Sequence, residues 1–290
     1  MTPAMASRGG IGGRILLYAA LIVLALAFAA PLFVMVATSF KTMAEIRQGS
    51  IFSLPHQIDL SAWRDAWSHA CTGAYCEGLK PGFVTSFQIV VPAVLGSVFL
   101  AAINGFALAR WTVPHADKLA AVLLLGAFVP YQALLYPIVH TLGLFDLYGT
   151  IGGLVLIHIL LGQPILTMIF RTFYAALPHE IVQAARIDGA GFYRIFFQLI
   201  LPLSPSILVV AAIMQTTAIW NDYLFGLVLG GTGNTPVTVL LNNIVNTETG
   251  EARYNVNMAA TLLAGLPPLA VYFLSGRYFV RGIAAGAVKG

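Results

Sequence analysis

The chain has 290 residues, 59% of them hydrophobic and only 9% charged, against about 25% charged in ordinary soluble domains. Too little polar surface remains to cover a fold in water, so the bilayer is read as the solvent. A formal charge of +4 is too small and too dispersed to suggest nucleic acid, and no such partner is expected.

A helix that crosses ~30 Å of hydrocarbon needs about 20 mainly apolar residues. Residues 1–14 form a short basic tail, and the first segment of that kind is Ile15–Ser39. A cleaved signal peptide is the rival reading there, because Arg8 and Arg14 precede an apolar run ending in Ala-Phe-Ala-Ala. The run continues through Pro31 to Ser39, beyond a typical signal core of about 7–15 residues, so an uncleaved anchor is expected. Residues 40–82 form a long segment outside the cytoplasm, carrying Trp63, Trp67 and the pair Cys71 and Cys76. That compartment permits a disulfide, but spacing alone leaves a bridge and two free thiols equally open.

From residue 83 to 281 the remaining spans follow: Phe83–Leu108, Leu119–Leu142, Gly152–Phe173, Ser204–Leu229 and Met258–Phe279. Each must be helical, since lipid tolerates no unpaired backbone groups. The expected fold is therefore an all-α integral membrane protein with six transmembrane helices. Between them lie a long inner loop, 174–203, and a second outer loop, 230–257; residues 282–290 form the C-terminal tail. With the N-terminus inside, the inner pieces hold ten basic residues: Arg8, Arg14, Arg110, Lys118, Arg171, Arg186, Arg194, Arg277, Arg281 and Lys289. The outer pieces hold five, namely Lys41, Arg47, Arg64, Lys80 and Arg253. The bias places both termini in the cytoplasm.

The inner loop does not read as a linker. Pro178 suits the first turn of a helix, and Glu180 complements its positive end. Ile181, Ala184, Ala185 and Asp188 follow at helical spacing, so small and apolar groups share a face. Gly189 then permits a turn closed to other residues, and a second helical stretch runs from about Ala190 towards Pro202. A short alanine-faced helix is a knob for a partner's groove, with Arg186 and Asp188 at its rim. An amphipathic helix lying on the headgroups fits the periodicity equally well.

Three ordered motifs carry a resemblance. The loop resembles the EAA loop of binding-protein-dependent ABC importer permeases, reading Gln183-Ala184-Ala185, then Gly189, then Leu199, Leu201 and Pro202. Trp220-Asn221-Asp222-Tyr223 is similar to that family's Trp-Asn-acidic-aromatic segment, and the end from Tyr278 to Gly290 is close to the usual C-terminus of its sugar permeases. Gln183 stands where the family has Glu, which weakens any ion pair made there. The resemblance implies an ABC type I importer transmembrane domain in a bacterial inner membrane. It further implies a heterodimer with a second permease subunit, two copies of a cytosolic ABC ATPase, and a periplasmic sugar-binding protein. ATP and Mg are then used by the partner ATPase, and this chain is not an enzyme. The ATPase-coupling residues implied are Glu180, Gln183, Ala184, Ala185, Arg186, Asp188, Gly189, Leu201 and Pro202. The 230–257 loop is similar to one that reaches the binding protein's sugar site. The segment around Cys71 and Cys76 looks like that of glucose or mannose permeases, which implies a monosaccharide.

No phosphate-binding G-x-x-x-x-G-K loop occurs, and neither the two cysteines nor the six scattered histidines have the spacing of a metal site. No cofactor or metal bound by this chain is expected. Polar residues at membrane depth face a cavity or a partner, and they are densest in the fifth span: Gln215, Thr216, Trp220, Asn221, Asp222 and Tyr223. These are the candidates for the substrate pathway, with helix–helix contact as their alternative role. Gly96-Ser97 and Ala101-Ala102 are read as helix packing instead. The alternative for the whole chain is a secondary solute transporter that works without an ATPase, and repeated halves that would mark one are not evident. An embedded enzyme would need a nucleophile–base set, and none stands out.

Overall fold

The computed structural model describes residues 11–72, 75–246 and 252–287. Arg8 with most of the basic tail, Gly73 and Ala74, residues 247–251 of the second outer loop, and Lys289 in the C-terminal tail lie outside them. All regular structure among the described residues is helical. In chain order the first elements are α1 (Ile11–Ser39), α2 (Met43–Gln48), α3 (Ser61–Ser68) and α4 (Lys80–Arg110). Then come α5 (Ala116–Gly126), a 3₁₀ turn (Tyr131–Leu134), α6 (Leu135–Leu144), α7 (Ile151–Ala175), α8 (His179–Ile187) and α9 (Phe192–Ile195). A π-helical turn (Phe196–Ile200) leads to α10 (Pro205–Trp220), α11 (Leu224–Leu229), α12 (Val237–Asn246) and α13 (Tyr254–Ala287).

Four of these helices are long and apolar enough to cross a membrane, or six if each of two bent pairs is one span. The first, second, fourth and sixth expected spans are continuous helices. The third is broken. α5 stops at Gly126, and the chain resumes at Tyr131 after a bend of 92°, where Pro130 supplies no N–H and disfavours helix in the residue before it. The second bent pair joins Phe192–Ile200 to Pro205–Trp220, also at 92°. Apart from that bend, the fifth expected span, Ser204–Leu229, is interrupted where α10 ends at Trp220 and α11 begins only at Leu224. There the Asp222 carboxylate accepts the backbone N–H groups of Phe225 and Gly226 (3.5 and 3.1 Å). That local bond caps a new helix in place of continuing the old one.

The chain forms two compact units. One takes residues up to Gly78 together with Ile244–Leu263. The described residues of the expected outer loop up to Gly78 are folded in this unit. Thr42 and Glu45 form a reciprocal cap at the start of α2. Lys41 is only 2% exposed, its Nζ donating to Ser50 O and Ser53 Oγ at 3.2 and 3.0 Å. The Asn255 amide donates to Lys41 O (3.1 Å), and Arg253 pairs with Asp65. Phe40 stacks on Trp63 at 5.4 Å. Cys71 and Cys76 are joined by a disulfide in this unit.

The second unit, Leu79–Asn243 with Ala264–Gly290, is built on α4 against α7. Ser97, Ala101 and Ala102 have no exposed surface, as their small size anticipates. A Cβ at Gly105 would lie 2.5 Å from Phe170 Cβ and 2.8 Å from Arg171 N. The two backbones therefore meet as closely as glycine allows, and dispersion between them replaces the hydrophobic effect that lipid does not supply. The Gln163 amide donates to Ser97 O and Ile159 O (3.2 and 3.0 Å) and accepts from Asn104 (3.4 Å). These polar groups join helices. Phe106, Phe170, Tyr174 and Phe196 continue the contact as a buried aromatic cluster.

Candidate functional site

Two features qualify as functional sites, both within the second unit. The first is α8. Pro178 precedes it in an extended conformation (φ −56°, ψ 131°), which sets the helix start one residue after the proline. Val182 and Ala185 are buried against Phe106, Tyr174, Ile195 and Phe196. Glu180, Gln183, Ala184, Ile187 and Asp188 point outward. Ile187 is 86% exposed. This corrects the expected face: Ala185 is buried while Ala184 is exposed, and the outward stripe is Glu180, Gln183, Ala184 and Ile187. The C-terminal turn closes through Gly189 N to Arg186 O (3.0 Å) and Ala190 N to Ala185 O (2.9 Å). Gly189 takes φ +77° with open space around it, the left-handed turn that its identity anticipated.

Arg186 is not a rim charge beside Asp188. It turns inward, its guanidinium 4.3 Å above the Trp111 ring and its Nη2 donating to Arg110 O at 2.8 Å. Arg110 in turn bonds the end of α7, donating to Tyr174 O and Ala175 O at 2.9 Å each, and to Leu177 O. Neither Arg110 nor Trp111 stood out in the sequence. Arg110 counted there only as an inner-side charge, although a basic residue at a helix end followed by Trp was a visible signal. Leu201 packs on the same core, while Pro202 is exposed.

The second feature is a cavity of about 420 Å³ at the break between α10 and α11. Gln215, Asn221, Asp222 and Tyr223 line it, joined by Tyr131 and His158. Thr216 does not, and neither does Trp220. The Trp220 indole is 2% exposed, donates to Ala264 O at 2.9 Å, and meets the edges of Phe83 and Phe87. That makes it a packing residue joining α10 to α13. Some cavity groups are committed to the fold: Gln215 Nε2 donates to His158 O (3.2 Å) and Tyr223 OH to Asn242 Oδ1 (3.2 Å). His158 Nε2 lies 3.9 Å from Asp222 Oδ2, too far for a direct hydrogen bond. Imidazole, amide, carboxylate and phenol therefore face one space, a donor and acceptor set suited to a polyhydroxylated solute. Among the described residues no group of three or more potential metal ligands occurs.

Residues 105–285, which hold both features, match the family described as the inner membrane component of binding-protein-dependent transport systems. The chain belongs to that family. Within it, a probable ABC transporter permease protein of Pyrococcus horikoshii is 42% identical over 188 residues, covering 64% of this chain and 68% of the relative. An alpha-glucoside transport system permease of Rhizobium meliloti is 34% identical over 220 residues, 73% of this chain and 57% of its own. A xylose/arabinose import permease of Haloferax volcanii is 31% identical over 229 residues, 71% and 74% of the two chains. The fold is that of a solved bacterial ABC transporter involved in alginate import, with a TM-score of 0.81 at 18% identity over 96% of this chain and 100% of that one. As an inner membrane component the chain is a multi-pass membrane protein, and the all-helical reading of its composition stands.

Proposed function

We propose that this chain is one of two permease subunits of an ATP-driven, binding-protein-dependent sugar importer. It contributes half of the translocation pathway and takes its energy from a separate cytosolic ATPase, present in two copies, that uses ATP and Mg. A periplasmic sugar-binding protein delivers the solute. The observation that carries this reading is α8: a short helix held from beneath by Val182 and Ala185, with Gln183, Ala184 and the 86% exposed Ile187 presented outward. A helix displayed in this way fits a partner's groove. The ten-to-five basic bias supports a cytoplasmic side for α8 and both termini. The sugar class is supported by the names of the two carbohydrate permeases among the relatives. A monosaccharide is supported by the xylose/arabinose relative and by the resemblance of the Cys71–Cys76 segment to glucose and mannose permeases. The cavity beside Asp222 is the solute's route through this subunit.

A cysteine at position 184 tests the docking. In membranes holding the whole importer it should crosslink to a nucleotide-hydrolysing subunit, and ATP should change the yield. Crosslinks to phospholipid alone would refute the reading. Proteoliposomes lacking the ATPase should take up no sugar, whereas autonomous uptake would establish a secondary transporter.

A further inference from the structure

Helix α8 can drive the spans only if its displacement is not absorbed in the three residues, 176–178, that join it to α7. The structure holds a device at that joint. The last carbonyls of any helix lack partners within it. In α7 those of Phe173 and Tyr174 accept from the backbone of the joint, and those of Tyr174 and Ala175 accept from a side chain on another helix. Arg110, the last residue of α4, spreads its fork over Tyr174 O and Ala175 O at 2.9 Å each and over Leu177 O, which lies in the joint itself. Its Nη1 also stands 3.1 Å from His179 Nδ1, in the first turn of α8.

The next residue completes the connection. Trp111 takes the Arg186 guanidinium on its face at 4.3 Å and the edge of Phe192 at 5.1 Å. Arg186 donates back to Arg110 O at 2.8 Å. Two consecutive residues at the end of α4 thus hold the end of α7, the start and end of α8, and the first residue of α9. Several directional bonds on one planar guanidinium restrict bending in a way a single point charge does not.

We propose that Arg110 and Trp111 are positioning residues for energy coupling, locking α8 to the paired ends of α4 and α7 so that the three move as one body. The proposal rests on the reading of α8 as the ATPase contact. Arg110→Met removes the fork and Trp111→Leu removes the ring that seats Arg186. Neither residue is on the outward face of α8, so ATPase binding should survive both. In the reconstituted importer, both variants should co-purify with the ATPase and keep basal hydrolysis. The sugar moved per ATP should fall on the order of tenfold, within the usual range for coupling between sites. Trp111→Phe, which keeps an aromatic face, should restore most of it. Wild-type sugar per ATP in either assembled variant overturns the proposal.

A second measurement needs no ATPase and serves if a variant fails to assemble. Spin labels at Thr112 and Gln183 in the full chain, in lipid nanodiscs, should give one narrow distance in the wild type and a broadened one in Arg110→Met and in Arg186→Met. A narrow, unchanged distance in those variants overturns the lock. Absence of any ATPase from the wild-type complex would instead remove the docking reading and leave this result intact.

Discussion

Glu45 shows how a single half-buried residue sets local order in the first unit. Its Oε2 accepts from Thr42 N at 3.0 Å and its Oε1 from His56 N at 2.9 Å. These backbone bonds, that from Thr42 foremost, hold the carboxyl below the ordinary value of 4.5. A depressed folded-state value means that the ionised form ties the segment together. Its contribution is present above about pH 4.5, where the unfolded chain is also ionised, and is lost as pH falls through the lower folded value. Hydrogen exchange at the Thr42 and His56 amides should therefore accelerate below that pH in the wild type. In Glu45→Gln it should be fast and nearly pH-independent once intrinsic rates are divided out. Gly189 makes a different kind of residue-scale contribution. With φ at +77° and no atom within 4 Å of a built Cβ, only conformation resists a side chain, at a cost of roughly 1–2 kcal/mol for alanine. Asn tolerates that region better than Ala. Uptake and exchange protection at the end of α8 should fall in the order Gly, Asn, Ala at position 189. Gly189→Pro, whose ring fixes φ near −65°, should uncouple hydrolysis from uptake while membrane insertion survives.

At the scale of elements, the closest helix contact gives the clearest prediction. Gly105→Ala pushes a methyl group into Phe170 Cβ and Arg171 N, atoms fixed to the α7 backbone. Overpacking of that kind costs about 1–3 kcal/mol. The melting temperature of the purified protein should drop, whereas Gly265→Ala, with nothing within 4 Å, should be neutral or slightly stabilising through helix propensity. The elements themselves were legible to different degrees. Ile15–Ser39 and Gly152–Phe173 lie inside α1 and α7, because twenty or more apolar residues in lipid have no alternative to helix. The breaks at Pro130 and Asn221–Tyr223 were not found by hydropathy, because apolar side chains flank them and the average stays high. Their signals were chemical: a proline, and an Asp able to cap a helix start. Residues 40–78 read as loop for the opposite reason. Their order comes from the buried ammonium of Lys41, the Asn255 amide from the far end of the sequence, and the Cys71–Cys76 bridge, pairings that periodicity cannot show.

At the scale of the whole molecule, docking and passage are separate demands, and the sequence disclosed them unequally. The segment proposed to dock was singled out by its Ala-Ala and Gly189 spacing, but not which residues faced outward, since that depends on the core beneath Val182 and Ala185. The proposed passage rests on a polar run in the sequence, yet only the fold separates Trp220, buried in packing, from Asn221, Asp222 and Tyr223 on the cavity. Asp222 tests whether that cavity carries sugar. Its carboxyl group has two tasks that one substitution can divide: it accepts the N–H groups at the start of α11, and it offers the cavity acceptor oxygens beside His158. Asn keeps one oxygen for the shorter bond, from Gly226 N, and replaces the other with an N–H donor; Ala removes both oxygens. Asp222→Asn should therefore melt within a degree or two of the wild type, while Asp222→Ala loses about 1 kcal/mol, the usual cost of a missing cap. If sugar passes this group, Asp222→Asn should reduce uptake about fivefold, because losing one acceptor bond to a sugar hydroxyl costs about 1 kcal/mol. Hydrolysis stimulated by the loaded binding protein should persist, since α8 and its attachments are untouched. Uptake and hydrolysis falling together would place Asp222 in the switch between states rather than on the sugar's route. Uptake unchanged would leave the cavity outside that route altogether.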